Sequence, residues 1–227
     1  MKIPAKGFTH GGKFHADDVF STALLQIVRP DIQVTRGFVV PDDFDGIVYD
    51  VGGGMFDHHQ EPRETRPNGV PYAAFGLLWQ VLGAQLVGEH QARLLDENFI
   101  QPLDLNDNTG EQNSLADAIG SFNPLWDSKD DPDECFWRAV PVAKKILENE
   151  IAAANAVNRA DDNTCPVNLA ARLHLGRDEY AWIDRLLEDL SLCEREALLY
   201  ITQGKRLGME RFVEIGNTSD EPLNTAA

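Results

Sequence analysis

Histidine and aspartate cluster twice near the start of this chain, in THGGKFHADD (Thr9 to Asp18) and in Asp57-His58-His59. Four of the 6 histidines, His10, His15, His58 and His59, fall in these stretches, each pair beside aspartates. Between them stands Asp50, the polar residue near the end of the apolar run GIVYDV. Imidazoles and carboxylates without a thiolate favour a borderline-to-hard divalent ion in a catalytic rather than a structural site. Mn²⁺ is the first choice, with Mg²⁺, Co²⁺ or Zn²⁺ as alternatives. His10, His15, Asp17, Asp50, Asp57, His58 and His59 offer more donors than one tetrahedral ion needs, so two ions sharing a carboxylate are expected, with Asp50 as the bridge. Such pairs, about 3.5 to 4 Å apart, orient a hydroxide against a phosphorus atom and neutralise the charge that builds on its oxygens.

Two full shells need a further carboxylate. FIQPLDLNDNTG supplies Asp104 and Asp107 three residues apart, on one face if the segment is helical. Asp107, beside Asn108 at a helix end, is the preferred one. The plainer roles stay open beside these: Asp17 or Asp18 as a helix cap, Asp104 as a solvated helix residue, Gly52 to Gly54 as a simple turn. Basic residues are scarce, so Lys13, Arg36, Arg63 and Arg66 near the motifs are candidates for contact with a substrate phosphate, or else ordinary surface charges. Phe75 and Trp79 have the helical spacing of core residues. Trp126 either lines the mouth of the site or closes the core.

The elements that position these residues follow from periodicity and turn residues. Lys6 to Thr9 is extended and runs into the Gly11-Gly12 turn. Apolar residues at Val19, Phe20, Ala23, Leu24, Ile27 and Val28 predict a helix over Asp17 to Val28, closed by Pro30. Ile32 to Val40 and Gly46 to Val51 read as strands, so a parallel sheet is expected, with the candidate ligands at carboxyl ends of its strands, where ligands bind in open α/β sheets. A glycine-rich loop after Asp50 is short enough to return Asp57 to the same edge. From Tyr72 the pattern is helical: AAFGLLWQVLGAQLVG, then HQARLLDENFIQPLDLNDNTG, then Leu115 to Ser121. Asp127 to Glu134 reads as a solvated loop, Cys135 to Arg159 as a long helix that Pro141 could kink, and Asp161 to Pro166 as a linker.

Composition limits the partners. With 37 acidic against 20 basic residues in 227 and a net charge of −17, the chain should repel long duplex DNA and anionic membranes. A phosphate-bearing substrate remains compatible if metal ions reverse the local field, which favours short substrates. The 3 cysteines, Cys135, Cys165 and Cys193, form no CxxC pair, and no apolar run has the length of a leader or a membrane span. A soluble cytoplasmic protein is expected.

The motifs THGGKFHADD, YDVGGGMFDHH, PYAAFGLLW, LDLNDNTG and SFNPLW, in this order, resemble the melanocyte-proliferating-gene family of metal-dependent hydrolases, an outlying branch of the DHH phosphoesterase superfamily. The resemblance covers about residues 6 to 159. It implies an α/β fold: a parallel-sheet phosphoesterase domain with helices on both faces over residues 1–160. Beyond it are expected a short helical C-terminal segment over 161–216, in place of the usual glycine-rich second domain, and a disordered tail over 217–227. It also implies an Mn²⁺- or Mg²⁺-dependent phosphoesterase of exonuclease type, acting on short single-stranded RNA or DNA, or on nucleotides, with RNA the favoured substrate. Carried over by position, His10, His15 and Asp17 match the first metal motif, Asp50 the second, Asp57, His58 and His59 the third, and Asp107, less surely Asp104, the fourth. By the same analogy His58 ligates a metal while His59 faces the substrate phosphate. Asp50, His58 and His59 then carry the catalysis.

Two rival readings remain. The same metals could serve a small-molecule phosphatase or pyrophosphatase, or the fold could be kept by a protein that binds partners through its C-terminal helices. The apolar face Trp182, Ile183, Leu186, Leu187 and Leu190 allows a homodimer, with packing on the chain's own core as the equal alternative.

Overall fold

In the computed structural model, β1 (Lys6–His10), β2 (Gln33–Gly37) and β3 (Ile47–Val48) form a parallel sheet in the order β2-β1-β3. The structure describes the backbone of residues 1–164 and the side chains of residues 1–159. Contacts divide the chain into two units, Met1–Ala154 and Asn155–Ala227. The first unit carries the sheet and every candidate site residue. The helices expected between Cys165 and Phe212, the face around Trp182, and the tail from Asn217 lie outside the described residues.

The first crossover follows from the sequence. His10 pairs with Gly37 across β1 and β2, and α1 (Ala16–Val28) connects the two strands. Ten consecutive residues of α1, Ala16 to Leu25, are buried, so this helix is enclosed rather than laid on a surface. Phe20 stacks on Phe75 with ring centroids 5.5 Å apart, and Phe99 meets Phe20 edge-on at 5.6 Å. Arg29 ends the helix with its backbone N–H on the Leu25 carbonyl, just before Pro30. The strands are shorter than their β-branched sequences suggest. β2 stops at Gly37, whose carbonyl takes the Gly11 N–H at 2.8 Å, and β1 has by then turned away, so Phe38 and Val39 pair with no strand among the described residues and are 80% exposed. β3 gives way after Val48 to a bridge between Tyr49 and Phe56 and a left-handed residue at Asp50.

The helical half has α2 (Ala74–Leu95), a π-helical turn (Asp96–Ile100), α3 (Gln101–Thr109), α4 (Ser114–Gly120) and α5 (Pro132–Thr164). Gly88, at φ 76°, breaks α2 where the sequence pattern also divides. Gly110, at φ 75°, ends α3 in a left-handed cap. Pro132 opens α5, with the Asp131 carboxylate accepting the Asp133 N–H at 2.9 Å, so this helix starts inside the segment read as a loop. It also runs past Arg159 to Thr164, into the expected linker. Phe75 and Trp79 are buried, and the Trp79 indole donates to the Ala92 carbonyl across the break in α2. Trp126 is 96% exposed, so it does not close the core. Among the described residues no helix is long and apolar enough to cross a membrane.

A buried polar clamp locks α3 against α2. Asp104, fully buried, accepts from Arg66 at 2.7 Å and from the Gly76 backbone N–H at 3.2 Å, while Arg66 also grips Asp96 and lies 3.9 Å from the centre of the Tyr72 ring. A methyl group at Gly76 would overlap the Asp104 carboxylate. Gly76→Ala should therefore destabilise the chain by about 1–3 kcal/mol in urea unfolding. Gly120→Ala, where nothing lies within 4 Å of the added carbon, should be neutral or stabilising. Equal effects at both positions would refute the clamp.

Candidate metal centre

The site forms where three chain segments leave the sheet. His10 is the last residue of β1, Asp50 follows β3, and α1 begins directly beyond the glycine turn. Asp50 has φ 58°, a left-handed backbone that aspartate tolerates better than most residues. Its N–H bonds the Phe56 carbonyl at 2.9 Å, closing a loop in which Gly52 and Gly53 take φ 87° and 72°. That loop returns Asp57, His58 and His59 beside Asp50. Asp57 holds its shape: one carboxylate oxygen accepts the Gly53 N–H at 2.7 Å, and the other accepts from the backbone and the ring of His59 at 3.0 and 2.9 Å.

The two oxygens of Asp50 face different histidines. Oδ2 lies 3.1 Å from His10 Nε2 and Oδ1 lies 3.1 Å from His58 Nε2. Around the first are His10 and Asp18, whose Oδ2 is 3.3 Å from His10 Nε2. Around the second are His58 and His59, whose Nδ1 is 3.6 Å from Oδ1, and His58 Nε2 lies in turn 3.2 Å from Asp107 Oδ2. Among the described residues three sets of possible ligand atoms each fit within 4.8 Å: His10, Asp18 and Asp50; Asp50, His58 and His59; Asp17, His58 and Asp107.

Neighbours fix the ligand rings. His10 Nδ1 lies 3.1 Å from the Gly11 carbonyl, a contact that holds a proton on Nδ1 and directs Nε2 to Asp18 and Asp50, where a cation can replace its proton. Asn108 performs the same service for His58: its amide donates to the Tyr72 and Asp104 carbonyls, which points its oxygen at His58 Nδ1, 3.2 Å away.

The remaining sequence candidates are distributed unevenly. His15 reaches Asp107 at 3.3 Å with its side chain 53% exposed, and it joins none of the three sets. Asp17 caps α2, accepting the Ala74 and Phe75 N–H groups at 3.1 and 2.7 Å, yet one of its oxygens also lies within 4.8 Å of ligand atoms of His58 and Asp107. Asp57 organises its loop and Asp104 belongs to the clamp; neither joins a set. Arg36 and Arg66 are buried, with their guanidinium groups turned to Asp133 and the Gly12 carbonyl and to Asp96 and Asp104 respectively. Lys13 and Arg63 are exposed. Asp18 and Asn108 are the site residues that motif reading did not assign to it. The signal for Asp18 was its place beside Asp17 in the first helical turn, where capping was the simpler reading.

Burial and neighbouring charges shift the titrating groups of this centre. Burial pushes the Asp18 carboxyl up to about 7, and the Asp50 charge adds to the rise against the opposing pull of His10. Asp17 is pushed well above the carboxylate range by burial and by the charges of Asp50, Asp107 and Asp104. For His10 burial works against the charged ring, but the hydrogen bond to Asp50 and the charges of Asp18 and Asp50 outweigh it and raise it to about 9. His58 is raised to about 11 against the same opposition from burial, by hydrogen bonds to Asp107 and Asp50. Protons thus stand where compensating positive charge is needed, and the hard, thiolate-free donor set fits a divalent cation.

A family profile described as "Uncharacterised protein family (UPF0160)", the MYG1 exonuclease family, matches residues 7–174. The chain belongs to the MYG1 exonuclease family. Relatives include a fission yeast (Schizosaccharomyces pombe) protein named MYG1 protein C694.04c, 32% identical over 177 residues, which cover 58% of this chain and 53% of that protein. The human MYG1 exonuclease is 28% identical over 187 residues, covering 64% of this chain and 50% of its own length. MYG1 protein C27H6.8 of Caenorhabditis elegans is 27% identical over 174 residues, covering 58% and 50%. The chain thus spans about half the length of these MYG1 proteins. No solved structure matches it significantly.

The raised histidines have a measurable consequence. Both are protonated at neutral pH in the metal-free chain, and the stabilisation this brings is complete below the unfolded value of 6.5. It is lost as pH rises through about 9 for His10 and about 11 for His58. The metal-free chain should therefore lose stability between pH 7 and 9. A divalent ion competes with the same protons, so Mn²⁺ affinity should rise over this range and uptake at pH 7.5 should release protons. Calorimetry in two buffers of different ionisation enthalpy reads that release; uptake without it would contradict the assignment.

Proposed function

We propose that this chain is a metal-dependent phosphoesterase of the DHH type, hydrolysing phosphodiester bonds in short single-stranded RNA or DNA, or in nucleotides. The observation that carries the reading is the Asp50 carboxylate, one oxygen toward His10 and Asp18, the other toward His58 and His59, with His58 shared by the set of Asp17 and Asp107. We assign His10, Asp50, Asp17, His58 and Asp107 as the principal ligands of two divalent ions, Mn²⁺ foremost, with His15 as an outer candidate. When bound, such ions supply Lewis acidity toward water and phosphate oxygens. The protein residues then do the positioning: Asp50 spans both groups, Asn108 orients His58, and Asp57 aims His59.

His59 is the substrate-facing member. Its side chain is 62% exposed, and its Nδ1 bond to Asp57 leaves Nε2 for a phosphate oxygen. A cleft of about 510 Å³ opens beside His58, lined by Met55, Gln60, Glu61, Glu64 and Tyr72 among others, a volume suited to one or two nucleotide units. Among the described residues no lysine or arginine lines it. In so acidic a chain the phosphate depends on the metal ions for its countercharge, with Lys13 and Arg63 as the exposed cations near the motifs. The names of the MYG1 exonucleases and the belonging of this chain to their family support a nucleic-acid substrate. A pyrophosphatase would need the same ions without the cleft.

Purified full chain with Mn²⁺ should cleave a short single-stranded oligonucleotide faster than a generic phosphodiester, and pyrophosphate least. Asp50→Asn and His58→Ala should each lower kcat/KM by about 10²–10³-fold while circular dichroism stays unchanged. Preference for pyrophosphate would favour the small-molecule reading, and undiminished activity after chelation would exclude both.

A further inference from the structure

Asp18 has one oxygen more than its structural role uses. It is the third residue of α1, and its Oδ1 accepts the His15 N–H at 2.8 Å, which completes the helix cap. Its Oδ2 is buried with no hydrogen-bond partner. That second oxygen faces His10 Nε2 at 3.3 Å, and Arg36 Nη2, already held by the Gly12 carbonyl at 3.0 Å, comes no closer than 3.9 Å. A cap alone does not account for this. Capping needs a single acceptor, and a side chain that merely caps normally leaves its other oxygen in water, because a buried unmet acceptor costs about 1–3 kcal/mol.

We infer that Asp18 is a direct ligand of a divalent cation and completes, with His10 and Asp50, the shell of the ion nearer β1. The inference rests on the metal-centre reading above and adds to it a ligand that the linear motif hides behind a helix cap. Two ligand atoms about 2.1 Å from one ion, at angles of about 90–109°, lie about 3.0–3.4 Å apart. His10 Nε2 lies 3.1 Å from Asp50 Oδ2 and 3.3 Å from Asp18 Oδ2, inside that interval. Two carboxylates and a neutral imidazole cancel the charge of a divalent ion where both carboxylates are buried. His15, half-exposed beyond Asp107, is then spared from this shell.

Asp18→Asn separates the two roles, since its amide oxygen still caps the His15 N–H while the second anionic oxygen is gone. Calorimetric titration of the full chain with Mn²⁺ should show one class of sites weakened about 10- to 100-fold in this variant, with the thermal midpoint of the metal-free chain little changed. Asp18→Cys tests direct ligation: Cd²⁺ should produce an ultraviolet thiolate-to-metal charge-transfer band beyond any wild-type background, which a side chain one shell removed would not give. Wild-type Mn²⁺ titration by Asp18→Asn together with no Cd²⁺ band in Asp18→Cys would overturn the inference and leave the proposed function standing. A wild-type chain that takes up no Mn²⁺ would remove both.

Discussion

Everything at the centre hangs on one carboxylate held where the chain leaves β3. Asp50 is nearly buried, at 4% exposure, and stands in a left-handed backbone conformation that only a few residue types adopt cheaply. Its N–H is tied to Phe56, so the backbone cannot relax without opening the glycine loop. That constraint turns one oxygen to the histidine of β1 and the other to the histidine returned by the loop. Hydrogen bonds from both rings hold the Asp50 carboxyl down at about 2 although burial alone would raise it. Asp50 is therefore the fixed negative charge around which the other groups adjust their protons.

The surrounding fold serves this arrangement by enclosing it. α1 brings Asp17 and Asp18 to opposite tasks: adjacent residues on a helix point about 100° apart, so Asp17 caps α2 while Asp18 faces His10. α3 brings Asp107 and Asn108 to His58, and the clamp of Arg66, Asp96 and Asp104 fixes α3 from behind. Burying this many carboxylates is tolerable only with positive charge among them. In the metal-free chain protonated histidines provide it, and a divalent ion would provide it more strongly.

Much of this was legible in the sequence, and the failures are physical. β1, α1 and the break at Gly88 followed from apolar spacing and glycine, and the meeting of His10, Asp50 and His58 followed from strand ends and a short loop. The strands were read too long because β-branched residues at Val39 and Val40 persist after the pairing partner has gone. Asp18 escaped because a cap and a ligand have the same signature in one dimension, an aspartate in the first helical turn. Arg36 and Arg66 were read as candidate phosphate contacts or ordinary surface charges because charge implies exposure by default, and only the fold reveals the aspartates their buried side chains meet. Between Asp104 and Asp107, one turn apart, the sequence supported only a preference for Asp107 at the helix end; the docking of α3 turns Asp104 to Arg66 and Asp107 to His58.

The central claim, that Asp50 joins two cation sites, is tested most directly by anomalous diffraction from crystals soaked in Mn²⁺. The account predicts two anomalous peaks, one within coordination reach of Asp50 Oδ2 and His10, the other within reach of Asp50 Oδ1 and His58. Peaks that leave Asp50 unligated, or a single ion bound away from it, would contradict the account.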